Sequence, residues 1–518
     1  MSQQLRAFES AGTATHSLIL LLIRALDAKW LSLLVPLALI LSVAAFVGAN
    51  LGRFPLPYID ESFWIWPAIS YLHGHGFVYQ IGSSLPYTGT LWAYHGPLYP
   101  HLLVFVFKLF GFSLLAARLT ELLPACAAVC MMVYMLWKQG NRFAPLAFAL
   151  VWLGDRAPQE LEYARVEGCA ILCVVLAFLF LQRFDEKPSG RNALSVGFFG
   201  TMALAFHPVT AAFLLVNVLL LAIRSRRSGT LPNAFLGFFG GVAPACLLVL
   251  ACVQFRVLEA LQQFQAHLQL VQEPGTWLQK LLRELSVLRW SKWFFIALVI
   301  ATLLICAPIA VAQLRRLLRE PIKGSFFTAS LALYSVAGLV CLISKSVHPY
   351  YIVYFSIWPI ALLVYEAERH RENRRCWALA LILALAWVPS AAWNVMRARD
   401  VVINYRQLRH DYIVGRLKRS VPPDAPVDGD PLLLSLAEEA GLNYTPTAWY
   451  AEKSRVPDRD WILVRGQEYQ DPLYFFPADE KARGMEFCAD AFPGARQLSF
   501  DVCLLRPLNN PTRAPGFR

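Results

Sequence analysis

Charge is scarce in this sequence. Asp, Glu, Lys and Arg make up 16% of its 518 residues, against about 25% in soluble domains. Hydrophobic residues reach 57% and mean hydropathy is +0.47. The deficit excludes a water-soluble globular chain and leaves a polytopic membrane protein. Also missing are any CxxC, HExxH or P-loop motif and any GxGxxG in a strand-to-helix context. That argues against a nucleotide-driven pump or a dinucleotide enzyme. There is no internal repeat and no low-complexity tract. The region before the first long apolar run lacks a short apolar core followed by a small-residue cleavage site, so the first span itself is expected to direct insertion.

Long apolar runs are what the chain has instead. Stretches near 31–50, 234–254, 293–314, 325–343, 351–367 and 376–395 each approach the ~20 residues needed to cross ~30 Å of hydrocarbon. Shorter or partly charged runs at about 115–137, 143–157, 166–184, 192–206 and 208–223 bring the expected total to eleven.

The excess of 47 basic over 35 acidic residues reports topology rather than nucleic-acid binding. Lys138 and Arg142, Arg183 to Arg191, Arg224 with Arg226 and Arg227, Arg315 to Lys323, and Arg369 to Arg375 fall in every second connection. The positive-inside rule places these, with the N-terminus, in the cytoplasm. The run 97–111 would invert this parity if it crossed. It is therefore expected to be a juxtamembrane or re-entrant helix, within one outer loop over 51–114. Phe63, Trp64, Trp66, Tyr71, Trp92, Tyr94 and Tyr99 in that loop suit the half-wet interfacial zone. Composition shifts after Trp393, which divides the chain into a membrane domain, 1–396, and a soluble C-terminal domain, 397–518. Helical patterning to about Arg419 and strands at Trp461–Val464 and Leu498–Leu505 make that domain a small α/β unit. With eleven spans it faces outward.

Nine of the eleven cysteines lie in or beside the spans, where Cys behaves as a small apolar residue. Cys488 and Cys503, in the soluble domain, either pair in an oxidising compartment or remain thiols. His73, His75, His95 and His101 have no spacing that fixes four ligands on one ion, so no metal is expected.

Asp60 and Glu61 stand side by side just beyond the first apolar run, a placement that suggests a catalytic acid at the membrane surface. His95-Gly96-Pro97-Leu98-Tyr99 then leads into an apolar segment ending Lys108-Leu109-Phe110-Gly111. Ala117-Arg118-Leu119 opens the next span, an acidic residue follows Arg165-Val166 at Glu167, and His348-Pro349-Tyr350-Tyr351 leads into a span with Pro359. In this order and on these loops, the motifs over residues 30–400 resemble the GT-C-type integral membrane glycosyltransferases. The similar branch contains dolichyl-phosphate-mannose protein mannosyltransferases, bacterial aminoarabinose transferases and lipopolysaccharide-core galacturonosyltransferases.

The resemblance implies an all-α, GT-C-like membrane domain that transfers a hexose or pentose from a polyprenyl-phosphate carrier. The acceptor would be a lipopolysaccharide or other glycolipid, another glycan or a protein, on the outer side of the membrane, and no cofactor is needed. An acceptor hydroxyl is a poor nucleophile at neutral pH, and a carboxylate in reach takes its proton during attack. Asp60 is the expected base, with inversion at the anomeric carbon. Cationic or hydrogen-bonding groups would stabilise the leaving phosphate, for which Lys345, His348 and Arg165 are candidates. Arg118, Glu167, His207 and Tyr350 complete the expected donor and substrate contacts.

Each residue has a plainer alternative. Asp60 also suits a helix N-cap, with Glu61 in the first turn either solvating the loop or orienting Asp60. Arg118 and Glu121, spaced i,i+3, would pair along one helix. Glu160, Glu162, Arg165 and Glu167 crowd a connection of the kind that is often simply charged and wet. Relatives commonly carry Asp near Glu167 and Lys near His207. His207-Pro208 is otherwise a helix-breaking turn, and His348 an interfacial residue.

A secondary transporter or flippase of a lipid-linked sugar is the main alternative, but transporters place ionisable groups near the bilayer midplane. Here the span interiors nearly lack them. A membrane anchor whose outer domain binds a partner is the other. The expected location is a bacterial inner membrane, with the C-terminal domain periplasmic.

Overall fold

The structure, a computed structural model, describes residues 30–51, 59–78, 91–93, 96–270, 279, 282, 285, 288, 291–319, 325–344, 349–404, 410–429, 433–446, 461–465, 485–490 and 501–506. The membrane part comprises α1 (Leu31–Asn50), α2 (Ile59–Leu72), α3 (Leu98–Phe110), α4 (Leu114–Lys138) and α5 (Ala144–Leu153). It continues with α6 (Glu167–Glu186), α7 (Gly190–Phe206), α8 (Ala211–Ser228), α9 (Leu231–Cys252) and α10 (Val257–Leu270). It closes with α11 (Lys292–Arg319), α12 (Ser325–Ser344), α13 (Ile352–Arg369) and α14 (Arg374–Asn404).

Each of the eleven expected spans coincides with a helix, and eight helices among the described residues are long and apolar enough to cross a membrane. The expected span 143–157 is shorter than its apolar run: α5 has 10 residues and stops at Gly154. Helix α3, with 13 residues, is about 20 Å long at 1.5 Å per residue, well short of the hydrocarbon thickness.

Local chemistry sets several boundaries. Ser113 and Ser189 adopt extended backbone and accept hydrogen bonds from the N–H groups of Ala116 and Asn192, capping α4 and α7. Helices α7 and α9 pack backbone to backbone. A methyl group on Gly197 would collide with the carbonyl of Phe238, and one on Gly241 with the carbonyl of Leu194. Small residues allow such close approach where lipid supplies no hydrophobic drive between helices.

Polar contacts mark two ends of the bundle. At one, Lys138 pairs with Glu186 at 2.6 Å, Arg224 with Asp185 at 2.7 Å, and Glu368 accepts from the N–H groups of Arg142, Phe143 and Ala144. At the other lie the starts of α2, α4 and α6 and the connection 154–166.

Beyond α15 (His410–Ser420) a five-stranded mixed sheet has the order β2-β1-β3-β5-β4. Its strands are β1 (Pro426–Gly429), β2 (Asn443–Pro446), β3 (Trp461–Arg465), β4 (Met485–Asp490) and β5 (Asp501–Leu505). β1 pairs in parallel with β2 and β3, while β5 runs antiparallel between β3 and β4. Strands β3 and β5 match the two expected from sequence; residues 498–500 of the second lie outside the described residues. α16 (Leu434–Glu439) docks this unit on the bundle. Glu439 Oε1 accepts from the Leu114 N–H at 2.9 Å and Glu438 meets His73 Nε2 at 3.2 Å.

Of the aromatic residues expected at the interface in loop 51–114, Tyr71 is exposed and Phe63 half-buried, but four are not interfacial. Trp64, Trp66, Trp92 and Tyr99 are all buried, and Trp64 meets both Trp92 and Tyr99 edge-on. They build a core under the site. Tyr94 lies outside the described residues.

Candidate functional site

The site is assembled from the first turn of α2, the N-terminal ends of α4 and α6, the connection 154–166, and the segments around 207 and 350. Asp60 is the second residue of α2, and its side chain lies outside the described residues, as do Lys345 and His348. Glu61, the next residue, is 1% exposed. Its two carboxylate oxygens accept from Arg118 Nε and Nη2, each at 2.8 Å, and Oε1 also accepts the Ala164 N–H at 2.7 Å. Arg118, fully buried in α4, donates its remaining Nη1 to the Leu51 carbonyl at 2.8 Å. Two parallel charge-assisted bonds fix orientation as well as distance. One ion pair thus ties the end of α1, the start of α2, α4 and the connection before α6.

This corrects the local reading of Arg118. Its partner is not Glu121, three residues on, but Glu61, 57 residues away. Glu121 Oε1 instead accepts the Gly168 N–H at 2.5 Å, in the first turn of α6, where a carboxylate complements the helix dipole.

The connection before α6 is not wet either. Glu160, Glu162, Arg165 and Glu167 are all buried. Arg156 holds Glu160 at 2.6 Å, and the guanidinium of Arg397, from α14, forks onto Glu162 at 3.1 and 2.5 Å. Asn394 donates to the carbonyls of Leu153 and Asp155 at 3.0 and 2.9 Å and bonds Gln159, while Trp387 Nε1 donates to Val151 O at 3.0 Å. Burial pushes the Asp155 carboxyl up to about 6, against the pull of hydrogen bonds from the Arg156 and Ala157 N–H groups. Burial also raises Glu162, which Arg397 pulls back down.

Arg165 and Glu167 form a second fork, at 3.1 and 2.9 Å, and Glu167 Oε2 also accepts the Val166 N–H at 3.1 Å. The Arg165 guanidinium stacks 3.7 Å over the ring of Tyr350, an arrangement that stabilises the cation and fixes its plane. From Tyr350 a row of rings continues through Tyr351 (5.7 Å) to His207 (5.4 Å), which also faces Tyr354 (5.6 Å). His207 stands at a helix-breaking turn, where α7 ends at Phe206, and it is fully buried. Its Nδ1 accepts the Val209 N–H at 3.2 Å, which places the proton of the neutral ring on Nε2.

Gly96 closes the site against this row. Its φ of +51° belongs to the left-handed region, and a methyl there would lie 2.5 Å from the Phe206 carbonyl and 3.1 Å from the Trp64 ring. Only glycine brings this turn down onto the residue before His207. Just upstream, the Gln263 amide bonds both the Leu91 carbonyl, at 2.7 Å, and the Ala93 N–H, at 3.2 Å.

Of the nine residues anticipated from sequence, the structure brings Glu61, Arg118, Arg165, Glu167, His207 and Tyr350 to one end of the bundle. Sequence reasoning missed Gln263, Asn394 and Arg397. A polar pair near the end of an apolar span was the available signal for the last two. Among the described residues no three His, Cys, Asp or Glu side chains converge as for a metal ion.

No family model matches the chain, and no curated protein matches it in sequence. Its fold does have solved counterparts. The crystal structure of ArnT from Cupriavidus metallidurans bound to undecaprenyl phosphate is similar with a TM-score of 0.54 at 14% identity, over 90% of this chain and 97% of that one. The same protein in the apo state gives 0.53 at 13% identity, with the same coverage. The chain is an integral membrane protein with the GT-C fold of ArnT.

Proposed function

We propose that this chain is a glycosyltransferase that moves a sugar from a polyprenyl-phosphate carrier to an envelope acceptor at the outer face of a bacterial inner membrane. The observation that carries the reading is the cluster of buried, hydrogen-bonded charges at one end of a fold shared with a protein crystallised on undecaprenyl phosphate. A bundle whose buried ion pairs gather at one end, away from the midplane, suits chemistry at the membrane surface. A flippase would need such groups near the midplane.

In this reading the basic end of the bundle faces the cytoplasm, and residues 397–518 form a periplasmic cap over the membrane domain. Asp60 takes the proton of the acceptor hydroxyl as it attacks the anomeric carbon, with inversion. Glu61 acts as a positioning residue. Its oxygens already serve Arg118 and the Ala164 N–H, so its contribution is to hold the first turn of α2, and with it Asp60, in place. The Arg165 and Tyr350 stack, His207, Lys345 and His348 bind the carrier phosphate, whose developing charge they stabilise in the transition state. Glu167 keeps Arg165 in its plane. Gly96 and Gln263 shape the wall of the site.

The test is sugar transfer by purified protein in lipid, with a panel of polyprenyl-phosphate sugars and total envelope glycolipid as acceptor, comparing wild type with Asp60→Asn. Carrier-dependent transfer that disappears in a folded variant is the expected result. Near-normal turnover by Asp60→Asn would remove Asp60 as base, and movement of lipid-linked sugar across the bilayer without transfer would favour the flippase.

A further inference from the structure

The opposite end of the bundle carries its own polar cavity, of about 660 Å³, between the α4–α5 and α13–α14 connections. Its lining includes three guanidinium groups, Arg142, Arg369 and Arg371, and one carboxylate, Glu368. Glu368 accepts from the N–H groups of Arg142, Phe143 and Ala144 at 2.7, 3.1 and 2.7 Å, which draws the two connections together and sets arginines of both around one space. Arg369 Nη1 donates to the Tyr365 hydroxyl at 3.3 Å, and Glu366 lies 4.0 Å from the same guanidinium. The lining still carries more positive than negative charge.

The surroundings place this cavity at the level of lipid headgroups. Trp30 lies against Trp137 (5.4 Å), which Tyr134 also meets (6.0 Å), and Trp30, Tyr134 and Phe143 are exposed. Exposed aromatic side chains of this kind mark the membrane–water boundary. Phe143 lines the cavity, and Leu150, seven residues on along α5, is also exposed, giving an apolar track from the cavity toward the hydrocarbon. Simple topology-marking arginines would need neither the cavity nor the Glu368 clasp.

We propose that this cavity binds the phosphate-bearing headgroup of an anionic phospholipid, with Arg142, Arg369 and Arg371 on the phosphate oxygens and an acyl chain along Phe143 and Leu150. Guanidinium forks suit phosphate oxygens, and basic pockets between membrane helices are suited to such headgroups. A soluble phosphate shares the headgroup chemistry but not the apolar track. The inference is independent of the sugar-transfer reading, since it involves none of the residues at the other end.

The test uses native mass spectrometry of the full-length protein in detergent, titrated with phosphatidylglycerol, with phosphatidylcholine, or with inorganic phosphate as competitor. Wild type should retain phosphatidylglycerol over phosphatidylcholine, and phosphate should not displace it. The variant R142A/R369A/R371A should bind phosphatidylglycerol roughly 100-fold more weakly, from about tenfold or less per lost charge. R142K/R369K/R371K, which keeps the charge, should recover part of the binding. If the alanine variant fails to fold, Arg371→Glu at an exposed position repeats the test with about a tenfold loss expected. Equal binding of both lipids by wild type, or undiminished binding by the folded variants, would overturn the proposal. Displacement by phosphate would assign a soluble-anion site instead.

Discussion

Arg118 reaches from α4 to hold both carboxylate oxygens of Glu61 at 2.8 Å, in a place where neither side chain touches solvent. Removing one partner of a buried pair strands the other charge, at about 3–5 kcal/mol. Arg118→Ala is therefore expected to lower thermal stability by that order, and activity with it. The double variant Arg118→Met with Glu61→Gln leaves no orphan charge. It should regain much of the stability in a detergent melting assay while transfer stays low, because the first turn of α2 is no longer held. Full activity in the double variant would show that the pair has no positioning role.

Asp155 gives the protein a pH dependence of defined sign. An unfolded Asp titrates near 3.8 and the buried Asp155 near 6, so the folded state holds its proton to higher pH. Below about pH 4 both states are protonated and nothing is lost. As pH rises through about 6, ionisation is resisted only in the folded state, and stability falls by about 3 kcal/mol at most. Asp155→Asn keeps a carbonyl oxygen for the Arg156 and Ala157 N–H groups and removes the titration. Its advantage over wild type in melting temperature should be larger at pH 7 than at pH 4. A constant difference across that range would refute the assignment.

Gly96→Ala places a methyl against the Phe206 carbonyl at a backbone angle that disfavours any side chain. A loss of roughly 1–3 kcal/mol is expected, with the turn before α3 displaced and transfer reduced. Gly140→Ala, with a φ of +85° and nothing within 4 Å of the added carbon, is the control. It shares the backbone penalty but should leave transfer intact.

Cys488 and Cys503 are register partners on the antiparallel strands β4 and β5. If the C-terminal unit lies in the periplasm, oxidation of this pair would close a loop of about 15 residues, contributing about 3 kcal/mol. Protein denatured without reductant should then show two fewer alkylatable thiols than reduced protein. Equal labelling would mean that the pair stays reduced or that the unit faces the cytoplasm.

The helical architecture was legible because a bilayer imposes length and composition on every span, and no other constraint writes so plainly into a chain. The site was legible as a set of residues but not as a set of partners. Arg118 has a local candidate in Glu121 and a remote one in Glu61, and spacing favours the local one. The remote pairing wins because the chain folds α2 back beside α4, which no helical repeat encodes. Trp64, Trp92 and Tyr99 looked interfacial because they lie in a loop, and are buried because that loop packs into the core of the bundle. The wall formed by Gln263 and the Asn394 and Arg397 clasp joins segments 170 residues or more apart, beyond the reach of any periodicity.

Helix α14 owes little of its attachment to apolar packing. Only 6% of its apolar window, Ala380–Arg399, is buried, so lipid would replace its neighbours at almost no loss. Directional bonds from its middle and C-terminal half, made by Trp387, Asn394 and Arg397, hold it instead. A break in the backbone between α13 and α14 would therefore yield a fragment that finds its seat again by matching hydrogen bonds, and that mispairs when those three side chains are changed. The final span behaves less as a wall of the bundle than as a key.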